Sequence, residues 1–339
     1  MESLSRKHTV AWAVALALLA AVLLWALHAG QFAITPGQLC ASVLARATGA
    51  TPPLPPNAEA VLWNIRLPRI AAGFAVGASL AAAGAAYQGM FRNPLVSPDI
   101  LGVSSGAGLG AVLGIYLGLG MVQVQLLAFG GGLTAVAVVV ALGAGVRRHD
   151  PVLVLVLAGI ALGALLGAGI ALIKTLADPN TQLPSITFWL MGGLSAITLP
   201  DIAATAPVML LALLPLVLLR WRINLLGLPD EEARSLGVQV GRLRLLLVAC
   251  ATLGTAAAVS VSGIIGWVGL VVPHVARLLV GPNFERLLPA SVLLGGGFVV
   301  AADTLARSAT RIELPLGILT AMVGAPFFLY LLGRTGRGE

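Results

Sequence analysis

The chain has 339 residues, 58% apolar and only 10% charged, with a formal net charge of +7. A mean hydropathy of +0.99 excludes a water-soluble globular fold and leaves a protein made of membrane spans, for which a length of about 20 residues each allows roughly ten. The cation excess does not point to nucleic acid, because Lys and Arg gather in the loops of one membrane side.

The apolar segments are long, rich in Leu, Ala and Gly, and lack a two-residue period, so they read as helices rather than barrel strands. Arg6 and Lys7 precede an apolar run from Thr9 to Leu27. No small-residue cleavage site follows and many spans do, so this reads as an uncleaved first span, about 9–29. A polar stretch, 31–64, with Pro52, Pro53, Pro55 and Pro56, reads as a loop holding Cys40. Span 2, about 66–90, opens on Arg66-Leu67-Pro68-Arg69. Cations at a helix N-terminus oppose its dipole, which argues for a purpose beyond folding. Phe91 to Asp99 carries Pro94 and Pro98, a rigid non-helical turn. It is either a plain connector or, through Asn93 and Pro94, part of the mouth of a path.

Span 3, about 100–119, has glycine at 102, 106, 110 and 114, a small face that lets helix backbones approach closely. Residues 102–106 also fit G-x-S-x-G. That pattern signals a nucleophile only on a strand–turn–helix elbow with a His and an acid in reach. At the start of a membrane helix it reads as packing, and Ser104, Ser105 and Gly106 stand as candidates for a path or gate wall. Span 4 is about 122–145 and span 5 about 151–175, the latter with Gly159, Gly163 and Gly167. Lys174 and Asp178 flank its far end. Lys174 is a path candidate, because an ionisable group near a span is functional by default; an interfacial anchor is the blander alternative.

Residues 186–198 read as a short broken helical piece and span 6 as about 201–219. Arg220 to Arg244 then forms a charged island, with eight of the chain's 33 charged residues. It belongs in water or against a partner. Span 7 is about 243–262, span 8 about 264–280, span 9 about 287–306 and span 10 about 314–332. Cys40 and Cys250 give no disulfide or metal motif. His274 reads as a satisfied structural group. Asp303 lies four residues before Arg307, the spacing of a helical ion pair.

With the N-terminus in the cytoplasm, 14 of the 20 cations fall on the inner side and 6 on the outer. The positive-inside rule supports that orientation, with both termini and the island cytoplasmic. No G-x-x-x-x-G-K-[ST] occurs, so any ATP with its Mg belongs to another chain. No cofactor, metal site or catalytic residue is expected on this chain. Arg66, Arg69, Arg307 and Arg311 gather outside, where they either snorkel to lipid headgroups or meet carboxylates of an outer protein. An ion-coupled transporter would call for midplane carboxylates and an inverted repeat, and Asp201 and Asp303 lie near span ends instead. An intramembrane enzyme using Ser104 lacks an evident His or acid partner.

The blocks RLPRIAAGFAVGASLAAAGAAYQGMFRNPLVSPDILGVSSGAGLGA (66–111), ITFWLMGGLS (186–195), DEEARSLGV (230–238), GIIGWVGLVVPHVARLLVGP (263–282), ADTLAR (302–307) and ELPLGILTAMVGAPFFLYLL (313–332) resemble the FecCD-like permeases of type II ABC importers. That family carries iron-siderophores, haem and vitamin B12, with oxyanion transporters among some relatives. The resemblance implies an all-α polytopic membrane protein, one transmembrane permease domain over 1–339, with about ten helices per subunit. It implies a homodimer in the bacterial inner membrane, two cytoplasmic ATPase subunits below and a periplasmic or extracellular binding protein above. The island would hold coupling helices that contact the ATPase through Asp230, Glu231, Glu232, Ala233, Arg234, Ser235, Leu236 and Gly237. Arg66, Arg69 and Arg307 match family arginines that pair with the binding protein, and Arg311 joins them by side alone. The cargo expected is an iron chelate, with cobalamin or a molybdate-type oxyanion as the alternative.

Overall fold

A computed structural model describes residues 2–29, 34–51, 53–145, 151–310 and 312–335. Pro52, Arg147, Arg148, Arg311 and Arg337 lie outside those residues. Among the described residues the fold is entirely helical. Seven helical stretches are long and apolar enough to cross a membrane and three more are apolar but shorter, which agrees with about ten.

The first is α1 (Glu2–His28). The stretch after it is not the loop that its prolines suggest. It contains α2 (Pro36–Thr48) and α3 (Pro56–Val61), and each begins on a proline. Proline suits the first helical position, where its missing N–H is not needed and its φ is already helical. Thr35 and Gln38 complete α2 with a capping box. From α3 the chain passes through a π-helical turn, Leu62–Arg66, straight into α4 (Leu67–Met90). Pro56 to Met90 is thus one 35-residue helical stretch. Arg66 and Arg69 sit inside it rather than at a helix start, and the argument from an opposed dipole lapses.

After α4 comes the connector, a 3-10 turn at Pro98–Leu101, and α5 (Val103–Tyr116). Gly102, at φ +79°, makes the left-handed turn between them. At 14 residues, α5 is about 21 Å long, too short to cross the bilayer alone. Then follow α6 (Met121–Gly145), α7 (Pro151–Leu176) and α8 (Gln182–Leu190). The broken piece of the sequence reading is therefore helical mainly before residue 191. Thr198 and Asp201 form a capping box for α9 (Leu199–Leu218), and Asp201 also accepts a hydrogen bond from Gln125 at 3.0 Å. Asp201 is a cap that ties α9 to α6.

The island holds α10 (Arg220–Leu225) and α11 (Asp230–Ser235). The chain ends in α12 (Val240–Ser262), α13 (Val268–Val280), α14 (Phe284–Ser308) and α15 (Leu316–Thr335). The eighth span begins later than its apolar run, because Gly263 to Gly266 are not helical.

The buried spine consists of α4, α12 and α14, whereas α1, α7 and α9 expose most of their surface. Lipid is as apolar as leucine, so helices associate through close backbone approach rather than through a hydrophobic effect. Small residues supply it. Gly77 of α4 lies against the Gly295 carbonyl of α14, and Gly84 against the Gly269 carbonyl of α13. Gly106 and Gly110 of α5 meet the carbonyls of Gly131 and Leu127 on α6. The glycine row of span 3 is a helix–helix contact, as its spacing suggests. The row on α7 differs along its length: Gly159 abuts Ile100, while nothing lies near Gly167.

Candidate functional site

Two clusters of charge sit at opposite ends of the bundle. At the island end, Asp230 opens α11 and is held by two arginines. Arg244 of α12 donates to both carboxylate oxygens at 2.8 Å each, and Arg92 donates to Oδ1 at 2.7 Å. Arg92 also donates from Nε to the Leu226 carbonyl at 2.8 Å. It does so with φ +51°, a left-handed conformation that a side-chain-bearing residue adopts only when its surroundings hold it there.

Ala233 is buried at 1% exposure, as are Ile223 and Leu226. Those apolar contacts seat the island on the bundle, and Asn224 adds hydrogen bonds to Asn283 and to the Phe284 N–H at the start of α14. Glu231, Glu232, Arg234, Ser235, Leu236 and Gly237 are exposed. Leu236 is 60% exposed, an apolar side chain presented beside charged ones. Of the eight residues expected to face a partner, the structure turns six outward, buries Ala233 and ties Asp230 into the chain itself. Ala233 seats α11, because a helix one turn and a half long needs one face on the bundle to stay in place.

Burial works to raise the Asp230 carboxyl, but Arg244 and then Arg92 outweigh it and hold it below its ordinary 3.8. Its contribution to stability is therefore complete above pH 3.8 and disappears only as pH falls through the lower folded value. Comparing the thermal stability of the parent with that of Asp230→Asn is expected to give one constant difference from neutral to weakly acidic pH, shrinking only as pH falls below about 3.8 toward the lower folded value. A difference that shrinks between neutral and weakly acidic pH would contradict the two-arginine clamp.

Nearby, Gln88 joins α4 to α13, donating to the Leu270 carbonyl at 3.1 Å and accepting from Arg277 at 3.1 Å. Asn93 and Pro94 are exposed in the connector, and the Asn93 side chain accepts the Leu95 N–H at 2.9 Å. Ser104 is buried and donates to Asp99. Among the described residues its hydrogen-bond partner is this carboxylate and not an imidazole, and it lies on a helix rather than on an elbow. Ser105 is half-buried, and Gly106 is buried against α6. Lys174 is half-buried near the end of α7. It is remote in the chain from these groups.

At the opposite end, Arg69 is 5% exposed. It donates to Asp303 through Nε at 3.2 Å and Nη2 at 2.7 Å, and to Glu313 through Nη1 at 2.8 Å. The Asp303 side chain is 5% exposed and that of Glu313 40%. Arg307 lies 3.9 Å from Asp303, at the expected i,i+4 spacing. It also donates to the Ala26 and Ala29 carbonyls, while Arg66 donates to the Leu27 carbonyl at 2.6 Å. Those carbonyls end α1. The last carbonyls of a helix have no partner within it and carry its negative pole, so two guanidinium groups complete the helix. Arg66, Arg69 and Arg307, expected to dock a binding protein, all make hydrogen bonds within this chain. Arg66 and Arg69 are buried and Arg307 is half-buried, and their partners are carboxylates and a helix end.

Beside this cluster the turn after α8 meets the end of α12 and the start of α15. The Gly193 N–H donates to the Ser262 carbonyl at 2.8 Å, and the Leu316 and Gly317 N–H groups donate to the Gly192 and Met191 carbonyls, each at 2.9 Å. Irregular backbone at membrane depth is stable only when such partners satisfy it. A cavity of about 640 Å³ opens next to the junction, lined by Gln125, Ser185, Phe188, Trp189, Ser195 and Ser262 among others. Sequence reasoning missed this junction. Its signal was present in Gly192-Gly193 and Gly263 interrupting apolar runs. It also missed Arg92 and Glu313.

Comparison with known proteins bears on this arrangement. Residues 18–334 match the FecCD transport family. The cobalamin import system permease protein of Halobacterium salinarum is 47% identical over 82% of this chain and 75% of its own length. A Helicobacter pylori protein named as an iron chelatin transport system permease is 44% identical over 81% and 83%. The molybdate import system permease of Haemophilus influenzae is 38% identical over 91% and 92%. Among solved structures, an ABC transporter of metal-chelate type in an inward-facing conformation matches with a TM-score of 0.86 and 34% identity, over 96% of this chain and 99% of that one.

Proposed function

Since the chain belongs to the FecCD transport family, whose relatives here are ABC importer permeases, we propose that it forms the membrane path of an ATP-driven importer of an iron chelate. The observation that carries this reading is the island. Two short helices are seated on the bundle through Ile223, Leu226 and Ala233, and they present Glu231, Glu232, Arg234 and Leu236 outward. A mixed charged and apolar knob of this kind suits a docking groove on an ATPase chain, which supplies the nucleotide chemistry that this sequence lacks.

In that reading the island is cytoplasmic and both termini lie inside. The exposed apolar faces of α7 and α15, including Leu157, Leu165, Met322 and Leu329, face lipid and a second copy of the chain. An extracytoplasmic binding protein delivers the cargo to the end that carries the Arg69 cluster. With those arginines engaged, the half-exposed Glu313 and the surface around it are what the chain offers such a partner. The cavity beside Phe188 and Trp189 is lined by hydroxyl and amide groups and by aromatic rings. That chemistry suits an uncharged or wrapped ligand better than a bare ion. Relatives named for cobalamin and for iron chelatin are 47% and 44% identical, so overall identity does not separate these cargoes.

The test uses the chain with its ATPase and binding protein in proteoliposomes, offered ferric siderophore, haemin, cobalamin and molybdate in turn. ATP-dependent uptake of the ferric siderophore or haemin is expected, and uptake of cobalamin or molybdate alone would overturn the cargo. In the Glu231→Ala, Arg234→Ala double variant, uptake and ATPase stimulation should fall about tenfold or more, the equivalent of about 1.4 kcal/mol of docking energy. Membrane integration should be unchanged. Uptake equal to the parent's would sink the assignment of the island.

A further inference from the structure

We propose that Arg92 is the positioning residue that carries movement of the island to the turn in front of α5. This rests on the reading of the island as an ATPase-docking element. Arg92 belongs to neither coupling helix, yet one guanidinium grips both. Nε holds the Leu226 carbonyl at the end of α10, and Nη2 holds Asp230 at the start of α11. Among the described residues these are the side-chain hydrogen bonds between the island and the 91–99 connector.

The connector is stiff enough to transmit what Arg92 receives. The Asn93 N–H donates to the Gln88 carbonyl at 3.1 Å, and the Asn93 side chain closes a turn on the Leu95 N–H at 2.9 Å. Pro94 and Pro98 fix two further φ angles. Asp99 then accepts the Ser104 hydroxyl on the first turn of α5. From Arg92 to Ser104 the segment is thus bonded at both ends and braced between them.

The two arginines on Asp230 divide the work. Arg244 is rooted in the buried α12 and its side chain is 21% exposed, whereas that of Arg92 is 38% exposed. An ion pair at a wet surface exchanges partners at low cost. The Arg244 pair is therefore the better shielded, and the Arg92 pair, with its second grip on the Leu226 carbonyl, is the one that a shift of α10 and α11 pulls on first. The left-handed backbone of Arg92, φ +51°, means that release of its side chain also relaxes the turn. A two-position element of this kind is what coupling between distant sites requires.

The experiment reads the connector directly and needs no cargo. Cys40→Ser and Cys250→Ala remove the two native thiols, and Leu95→Cys, at an exposed connector position, takes a nitroxide. The labelled chain, assembled with its ATPase in lipid nanodiscs, is compared before and after trapping with ATP and vanadate. A change in label mobility is expected in this background. In Arg92→Ala the change should fall to a small fraction of that, with the ATPase still co-purifying. Arg92→Lys, whose single ammonium cannot hold both Leu226 and Asp230, should give an intermediate change, and Arg244→Ala should keep most of it. An undiminished response in Arg92→Ala would refute the proposal, as would a response lost together with ATPase binding, which would make Arg92 a docking residue. If the ATPase fails to co-purify even with the unsubstituted chain, it is the reading of the island that fails, and that result is distinct from the others.

Discussion

Asp303→Ala is expected to destabilise the folded protein by about 3–5 kcal/mol, the usual consequence of leaving a buried charge without its partner. Arg69 would keep its place at 5% exposure while losing two of its three carboxylate hydrogen bonds. The remaining bond, to Glu313, puts the effect toward the lower end of that range. The reciprocal change is milder. Glu313 is 40% exposed, and Glu313→Gln should cost about 1 kcal/mol or less, as for a pair that water already screens. Cys250, buried in α12 while Cys40 is exposed, provides the readout. In a Cys40→Ser background, a thiol-reactive dye reports unfolding through Cys250 as temperature rises. Equal midpoints for Asp303→Ala and Glu313→Gln would show that the Arg69–Asp303 pair is not the anchor that its burial implies.

The second large effect lies at Gly84. A Cβ placed there falls on the Gly269 carbonyl group, and the three nearest atoms are all backbone. No rotamer change relieves such an overlap, so Gly84→Ala must push α4 away from α13. Overpacking of this kind costs about 1–3 kcal/mol where neighbours can adjust, and here none can by side-chain motion, which puts the expected loss at the upper end. Gly167→Ala on α7 is the matched control, because nothing lies near its Cβ and alanine is the better helix former by up to about 1 kcal/mol. The same dye assay should show Gly84→Ala unfolding well below the parent and Gly167→Ala at or slightly above it. The reverse order would remove close α4–α13 contact as a determinant of the fold.

The helical class, the number of apolar helices and the position of the island were legible because they rest on patterns a chain cannot hide: long apolar runs and a dense group of charges between two of them. The glycine row on α5 was legible for the same reason. What failed was tied to residues with more than one physical use. Pro36 and Pro56 start helices, although proline-rich sequence reads as loop. Gly263 to Gly266 sit in an apolar run whose hydropathy is that of a span, yet they are not helical, and the Ser262 carbonyl just before them accepts the Gly193 N–H from another segment. The arginines at 66, 69 and 307 were grouped at one end, but their intrachain partners were not foreseen apart from the Asp303–Arg307 spacing, since sequence gives sidedness but not the direction of a side chain. Glu313 and Asp303 lie more than two hundred residues from Arg69, and no local pattern announces such a triad. Arg92 looked like an ordinary loop cation; only its backbone angle and its two partners distinguish it.

The capping of α1 by Arg66 and Arg307 has a consequence for biogenesis. α1 is made before the other described helices, but one of the two residues that complete its far end arrives only with α14. Until then its last carbonyls must take water or headgroups as partners. A nascent chain cut short before Arg307 would hold its first helix in the bilayer without the clasp that fixes it to the rest. The bundle is therefore fastened late, by a joint between residues 278 apart in the chain, and quality control that senses a loose first span would in effect be reading whether translation reached α14.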